Sequence, residues 1–142
     1  MENWIHKVQY YETDQMQIVH HSNYIKWFEE ARMYLLEKIG FTYFDMEEAG
    51  IVVPVLSVLA NYRSMVRFGD TVEIEAKLTT LTGVKLIISY EIRDVETQKV
   101  RTTGESKHTF LDKETYRTIS LEKAHPEIYE LFKTMLEKPE ED

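Results

Sequence analysis

A single segment, residues 23–39, restricts the possible folds most strongly. Its apolar side chains recur at helical spacing and also occupy much of the remaining circumference. They are Tyr24, Trp27, Phe28, Ala31, Leu35 and Ile39 on the main face, with Met33, Tyr34 and Leu36 beside it. Gly40 follows as a stop signal, and Ser22 or Asn23 can cap the start. A helix that is apolar nearly all round must be covered by other structure.

Beyond Gly50 the pattern changes from helical to alternating, which predicts strands. The predicted strands are residues 51–63, 71–79, 84–92 and 99–111, with residues 4–11 as a further strand before the helix. Pro54 indicates an edge position or a bulge. Short helices are predicted at residues 42–49 and 126–136. The whole pattern predicts an α+β fold in which a curved antiparallel sheet of about five strands wraps around one long central helix.

Composition narrows the functional classes. With 142 residues and 43% hydrophobic side chains, the chain predicts one domain over residues 1–142, with a short solvated acidic tail from about residue 137. The lack of cysteine removes disulfides and thiolate chemistry and fits a cytoplasmic setting. We expect no signal peptide and no membrane span, since no apolar run nears about 20 residues. The net charge of −8 argues against nucleic-acid binding.

The stretch most suggestive of chemistry is residues 10–24, where Asp14 follows a strand and His20 and His21 precede the long helix. A helix start offers unpaired N–H groups and a partial positive charge, so it can polarise a carbonyl and stabilise an oxyanion. A carboxylate nearby can attack the carbonyl carbon or orient a water molecule. Because a free thiol has a pKa of about 8.5, a thiolate leaves easily. These residues therefore favour thioesters over peptides as substrates.

Further residues along the chain form a pattern together with the segment around Asp14. The set comprises Tyr10, Asp14, Ile18-Val19, His21, Tyr24, Glu29, Ala31-Arg32, Tyr62-Arg63 and Phe68-Gly69-Asp70. It resembles the 4-hydroxybenzoyl-CoA thioesterase family of hotdog-fold proteins over roughly residues 4–111, and looks closest to the branch found beside bacterial cell-envelope genes. The resemblance implies a hotdog fold, acyl-CoA substrates, no metal or other cofactor, and an edge-to-edge homodimer that often pairs into a homotetramer.

Catalytic roles follow from the resemblance residue by residue. It implies that Asp14 is the catalytic carboxylate, that the backbone N–H of His21 donates to the thioester carbonyl, and that the His21 side chain and Tyr10 serve near the substrate. Three departures bear on acyl specificity: Gln17 stands where the family usually has glycine, Met65 where it often has proline, and His20 where an aromatic residue is common.

Substrate-binding residues are predicted around this motif. Tyr24 and Glu29 on the helix and His20 before it are expected near the ligand. Glu29 would orient His21 or meet a partner subunit, and the simpler interpretation is a solvated helix face. Coenzyme A carries phosphate charge, so an acidic protein must gather local cations to hold it. Those considered are Arg63, Arg67, Lys85, Arg101 and Lys107, of which Arg63, Arg67 and Lys85 are preferred.

Simpler interpretations stand beside each role. Asp14 could be a turn residue, and His21 could be structural or could cap the helix. A metal site built from Asp14, His20 and His21 is an alternative, although no further ligand set is evident. His108 is expected to be structural, and His6 and His125 to lie at the surface.

The sequence therefore predicts an acyl-CoA thioesterase that uses Asp14 as nucleophile or general base. The rivals are an acyl-carrier-protein thioesterase, a non-catalytic module that binds acyl-CoA, and a purely structural interaction protein. The main prediction requires Asp14 and the start of the long helix to face the same cavity, rather than open solvent.

Overall fold

The structure, a computed structural model, describes residues 2–136, so the predicted acidic tail lies outside the described residues. The helices are α1 (Ser22–Ile39), α2 (Tyr43–Glu48), α3 (Leu121–Ala124) and α4 (Pro126–Lys133). The strands are β1 (Trp4–Lys7), β2 (Ile51–Val52), β3 (Val55–Tyr62), β4 (Thr71–Leu81), β5 (Lys85–Asp94), β6 (Val100–Thr109) and β7 (Leu111–Asp112).

Five of the strands form one antiparallel sheet in the order β1-β4-β5-β6-β3. The strands β4, β5 and β6 follow one another as a meander, as the alternating pattern predicts. Their inward side chains are buried, and they include Val72, Ile74, Leu86, Ile88 and Ile92. The predicted α+β class, with five strands against one long helix, is confirmed.

Helix α1 lies against this sheet and supplies much of the core. Trp27 and Phe28 are almost wholly buried, and the Phe28 ring stacks on Tyr90 of β5 with centroids 4.5 Å apart. The helix ends at Gly40, whose φ of +79° is a left-handed conformation that glycine adopts without strain. Ile25 and Met33 remain exposed on the outer face. Within one protomer, the expectation of a helix covered nearly all round is therefore wrong.

The first predicted strand, residues 4–11, is too long. Strand β1 ends at Lys7, and a 3₁₀ turn occupies Tyr10–Glu12. The cause is local, because the Glu12 carboxylate accepts a hydrogen bond of 2.8 Å from the Gln9 backbone N–H and folds the chain back. Alternation alone does not reveal this turn.

The predicted strand at residues 51–63 is divided in two at Val53 and Pro54. Strand β2 pairs with β7, whereas β3 pairs with β6 at the edge of the large sheet and has an irregular register between Val55 and Ser57. Proline lacks the N–H that a sheet ladder needs, so the break falls where the sequence signals it. Residues 99–111 are likewise divided, at Phe110, into β6 and β7.

The shorter helices agree with the sequence in outline. Thr42 and Asp45 cap α2 reciprocally, and Gly50 follows it with a φ of +84°. Helix α4 buries Phe132 against the core, and the short α3 before it was not predicted. Among the residues that the structure describes, no helix has the length and apolar character needed to cross a bilayer.

Candidate active site

Asp14 lies in a tight loop between the 3₁₀ turn and helix α1. The loop is closed by a bridge between Thr13 and Val19 and by a hydrogen bond of 2.9 Å from the Asp14 N–H to the Ile18 carbonyl. Gln17 has a φ of +63°. The resemblance places glycine at this position, and the structure shows the reason: the turn needs a left-handed residue, which here carries a Cβ.

The Asp14 carboxylate is held by its own loop. Its Oδ1 accepts from the backbone N–H of Met16 at 2.7 Å and from that of Ile18 at 3.4 Å. Its Oδ2 accepts no hydrogen bond from the described residues. One oxygen is thus fixed while the other is free to face a water molecule or a carbonyl carbon. The side chain is exposed in the protomer.

Helix α1 begins beside this loop, with His21 as the residue before its first turn. Neither of the two predicted capping residues caps it. Instead, the ring Nδ1 of His20 lies 2.9 Å from the Ser22 hydroxyl and accepts from the Ser22 N–H at 3.3 Å, whereas the Asn23 side chain donates to the Glu12 carbonyl. Among residues 2–136, no acceptor pairs with the backbone N–H of His21. That donor is therefore available to a ligand, as the mechanism requires.

The two histidine rings lie together and remain accessible. The centroids of His20 and His21 are 4.2 Å apart and tilted by 30°. In the described part of the chain, no group of three or more His, Asp or Glu side chains is arranged to hold a metal ion.

Three tyrosines surround the site in different ways. Tyr10 is 70% exposed, and its ring stands at 88° to the Phe68 ring with centroids 5.7 Å apart. Tyr24 is buried, which raises the pKa of its hydroxyl, and it accepts from the Val66 N–H at 3.4 Å. Tyr24 therefore supports the neighbouring segment and offers little open surface to a ligand. Tyr62, which the sequence did not single out as a functional side chain, donates to the His21 carbonyl at 3.4 Å.

The predicted cations separate into two groups. Arg63 follows Tyr62, and Arg67 bridges to Ile18 of the Asp14 loop, so both lie at the site and are exposed. Arg101 instead supports the site, because its guanidinium donates to the Met65 carbonyl and pairs with Asp94.

The two lysines among the predicted cations lie elsewhere on the sheet. Lys85 pairs with Thr109, seven residues along β6 from Thr102, the partner of Tyr62. At about 3.3 Å per residue, that separation is roughly 20 Å. The prediction that Lys85 contributes to this site is therefore wrong within one protomer, because the strand register carries it to the far end of the sheet. Lys107 is also displaced toward that end.

Glu29 is not brought to the helix start. It lies eight residues beyond His21 on α1, about 12 Å along the axis, and it is exposed. Burial raises the pKa of Tyr43 and Tyr90, and the charge of Glu29 raises both further. Glu29 is thus close to Tyr43 and Tyr90, whose hydroxyls accept hydrogen bonds from Arg32, rather than to Asp14 within the protomer.

The sequence missed Glu12 and misplaced His6. Glu12 is only 5% exposed, and its carboxylate accepts from the Trp27 indole at 2.7 Å and contacts the His6 Nε2 at 2.8 Å. His6, expected at the surface, is therefore partly buried beside the helix. His108 is fully buried and bonded to the Ser106 hydroxyl at 2.7 Å, a position that agrees with the structural role expected of it. The one signal available in the sequence was that Glu12 is itself an acid, two residues before Asp14.

The expectation that Asp14 and the start of α1 face a common cavity is not met within the described protomer, where Asp14 and His21 are both exposed. The main cavities of the protomer lie near the N-terminal segment, under α4 and beside α3, and none is lined by Asp14 or His21. Instead, the surface around Asp14 carries exposed apolar side chains. These are Tyr10, Tyr11, Met16, Tyr62, Met65 and Phe68.

Comparison with known proteins identifies the family. The model of the thioesterase-like superfamily matches residues 8–132. The chain belongs to that superfamily. YneP of Bacillus subtilis strain 168, named as a candidate acyl-CoA thioesterase, is 34% identical over 121 residues, which cover 85% of this chain and 87% of YneP. The enzyme is thus a hotdog-fold thioester hydrolase, as the resemblance implies.

Solved structures agree with the family. The DHNA-CoA thioesterase of Staphylococcus aureus has a TM-score of 0.87 at 29% identity, covering 94% of this chain and 89% of that one. The protein TT1821 of Thermus thermophilus has a TM-score of 0.85 at 30% identity, covering 95% and 99%.

Proposed function

We propose that this thioesterase hydrolyses acyl-CoA, with Asp14 as nucleophile or general base. The observation that carries the proposal is the pairing of a carboxylate fixed through one oxygen with an unpaired N–H at the start of α1. The names of YneP and of the DHNA-CoA thioesterase support coenzyme A as the carrier.

The proposed reaction follows from these two groups. The thioester oxygen accepts from the His21 backbone N–H, and the positive end of the helix stabilises the charge that develops there. The free oxygen of Asp14 either attacks the carbonyl carbon or takes a proton from an attacking water. The carbon–sulfur bond then breaks and coenzyme A leaves as a thiolate, which needs little acid assistance. Where Asp14 is the nucleophile, water then hydrolyses the acyl–Asp14 anhydride, which releases the acid and restores the carboxylate. No resident metal or cofactor takes part in this scheme.

The active unit in this proposal is at least a homodimer, whose second subunit closes the cleft over Asp14. Edge strand β3 exposes four apolar side chains, Val55, Leu56, Val58 and Leu59, which a monomer would leave in water. The exposed surface continues through Tyr62 to the carbonyl of His21. The proposed dimer interface at β3 is thus contiguous with the site around Asp14 and His21. Arg63 and Arg67 provide positive charge for the phosphates of coenzyme A.

The test is thiol release from a panel of acyl-CoA substrates, aliphatic and aromatic, by the wild-type enzyme and by Asp14→Asn. We expect Asp14→Asn to lower kcat at least about 100-fold, the usual contribution of such a group. Asp112→Asn is the matched control, because Asp112 also accepts two backbone N–H bonds, from Glu114 and Thr115, but lies away from the site.

Three outcomes contradict the proposal: no turnover on any acyl-CoA, full activity of Asp14→Asn, or equal losses in Asp14→Asn and Asp112→Asn. Saturable binding without turnover would favour the non-catalytic module instead. Faster hydrolysis from an acyl carrier protein than from coenzyme A would retain the chemistry and change the carrier.

A further inference from the structure

Glu12 occupies an unusual position for a charged residue. It is 5% exposed, and burying a carboxylate is costly unless hydrogen bonds compensate. Here they do: Oε1 lies 2.8 Å from the Gln9 N–H and 2.8 Å from His6 Nε2, and Oε2 accepts from Trp27 Nε1 at 2.7 Å. Burial raises the pKa of Glu12, but the bonds from Gln9, His6 and Trp27 lower it below its ordinary value.

The backbone of Glu12 is equally engaged. Its carbonyl accepts from the His20 N–H at 2.9 Å and from the Asn23 side-chain amide at 2.8 Å. Glu12 therefore joins strand β1, through His6, to helix α1, through Trp27 and Asn23. It also joins both of them to the segment that enters the helix at His20.

These contacts define the base of the Asp14 loop. Glu12 lies two residues before Asp14, and its carbonyl is bonded on both sides of the unpaired His21 N–H, at His20 and at Asn23. A rotation of the Glu12 peptide would move the carboxylate of Asp14 relative to the helix start. The other bonds that hold Asp14, among them the one from its N–H to the Ile18 carbonyl, lie within the loop, whereas the bond from the Asn23 side chain to the Glu12 carbonyl reaches α1 itself.

We propose that Glu12 is a positioning residue, which fixes the Asp14 carboxylate relative to the start of α1 through its bonds to His6, Trp27, His20 and Asn23. This inference rests on the proposed function of Asp14. Glu12 does not itself touch the substrate, because its carboxylate is enclosed by protein. Its effect on catalysis comes from geometry, to which reaction rates are highly sensitive.

The primary variant is Glu12→Gln, which preserves shape but not bonding. Both carboxylate oxygens face N–H donors, so a glutamine amide must place its own N–H₂ against at least one of them. We expect kcat to fall about 10- to 100-fold, with KM within about threefold of the wild type. Trp27→Phe, which removes one bond and keeps an aromatic ring, should lower kcat in the same direction by less.

Glu30→Gln is the matched control. Glu30 is an exposed neighbour that accepts from the Trp4 indole at 3.0 Å and lies 3.7 Å from His6 Nδ1, but it does not contact the loop. The same chemical change there should leave kcat unchanged. Thermal unfolding of every variant shows whether it is folded at the assay temperature, and if Glu12→Gln is not, Trp27→Phe carries the test.

A double-mutant cycle separates positioning from a general structural role. If Glu12 acts through Asp14, then Glu12→Gln should not lower the residual kcat of Asp14→Asn any further. An equal loss in both backgrounds overturns the inference, as does unchanged kcat in folded Glu12→Gln and Trp27→Phe. Full activity of Asp14→Asn instead overturns the proposed function, so the two failures are distinguishable.

Discussion

At the scale of single residues, the buried position of His108 strongly lowers its pKa. His108 is fully buried in a chain of hydrogen bonds that runs from Tyr90 through Ser106. Burial, with a contribution from the nearby Arg32 charge, lowers its pKa from 6.5 to about 4. The folded protein therefore holds His108 neutral at pH values where the unfolded chain would protonate it.

This shift predicts an acid-dependent loss of stability. Below pH 6.5 His108 binds a proton in the unfolded state but not in the folded state. The free energy of unfolding therefore falls as the pH drops toward about 4. The shift of the His108 pKa corresponds to a total loss of about 3 kcal/mol in the free energy of unfolding. Urea denaturation between pH 7.5 and 4.5 should show this fall in the free energy of unfolding in the wild type. In His108→Gln the part of the fall that is due to the histidine should be absent. Identical pH slopes in both proteins would contradict the assignment.

At the scale of secondary-structure elements, the contact between α1 and the sheet depends on Gly104 in β6. A Cβ built at Gly104 would lie 2.4 Å from the Phe28 ring and 2.9 Å from the Leu59 carbonyl oxygen. Because core packing is dense, the ring and the strand can approach this closely only when position 104 has no side chain.

Gly104→Ala should therefore destabilise the protein by about 1–3 kcal/mol, the usual cost of overpacking. Phe28→Leu makes room at the same point, so the double variant should be more stable than the sum of the two single effects. Chemical denaturation of the four proteins measures this coupling. Additive effects would mean that Phe28 is not the group that the new methyl meets.

At the scale of the whole molecule, edge strand β3 exposes apolar side chains that no described part of the protomer covers. Leu59 is 55% exposed there, and the neighbouring Leu56 is 62% exposed. Leu59→Glu should cost a single protomer little, since the side chain already meets water, but it should disrupt an edge-to-edge dimer by introducing charge at the interface. If the second subunit completes the site, activity should fall with the loss of assembly.

Light scattering during size exclusion, together with thiol release, checks this prediction. Phe44→Glu serves as the control, because Phe44 is 66% exposed on α2, away from β3. A wild-type protein that is monomeric and active, or a Leu59→Glu variant with unchanged assembly, would contradict the proposed dimer.

Much of this molecule follows from local sequence alone. The period of residues 23–39, the stop at Gly40 and the alternation in β4 and β5 determine the elements, because helix and strand periodicity depend on neighbouring residues. The Asp14 loop beside the start of α1 is equally local, whereas the left-handed turn at Gln17 is indicated only by the glycine that the resembled family usually has there.

The tertiary structure decided what depends on residues distant in the chain. Strand order and register place Lys85 far from Asp14, although composition alone makes it as plausible as Arg67. The buried Glu12 carboxylate exists only because β1 and α1 bring His6 and Trp27 to it, a convergence of segments up to 21 residues apart. Periodicity fixes which face of an element is apolar, but only the assembled sheet determines which polar groups share an enclosed space.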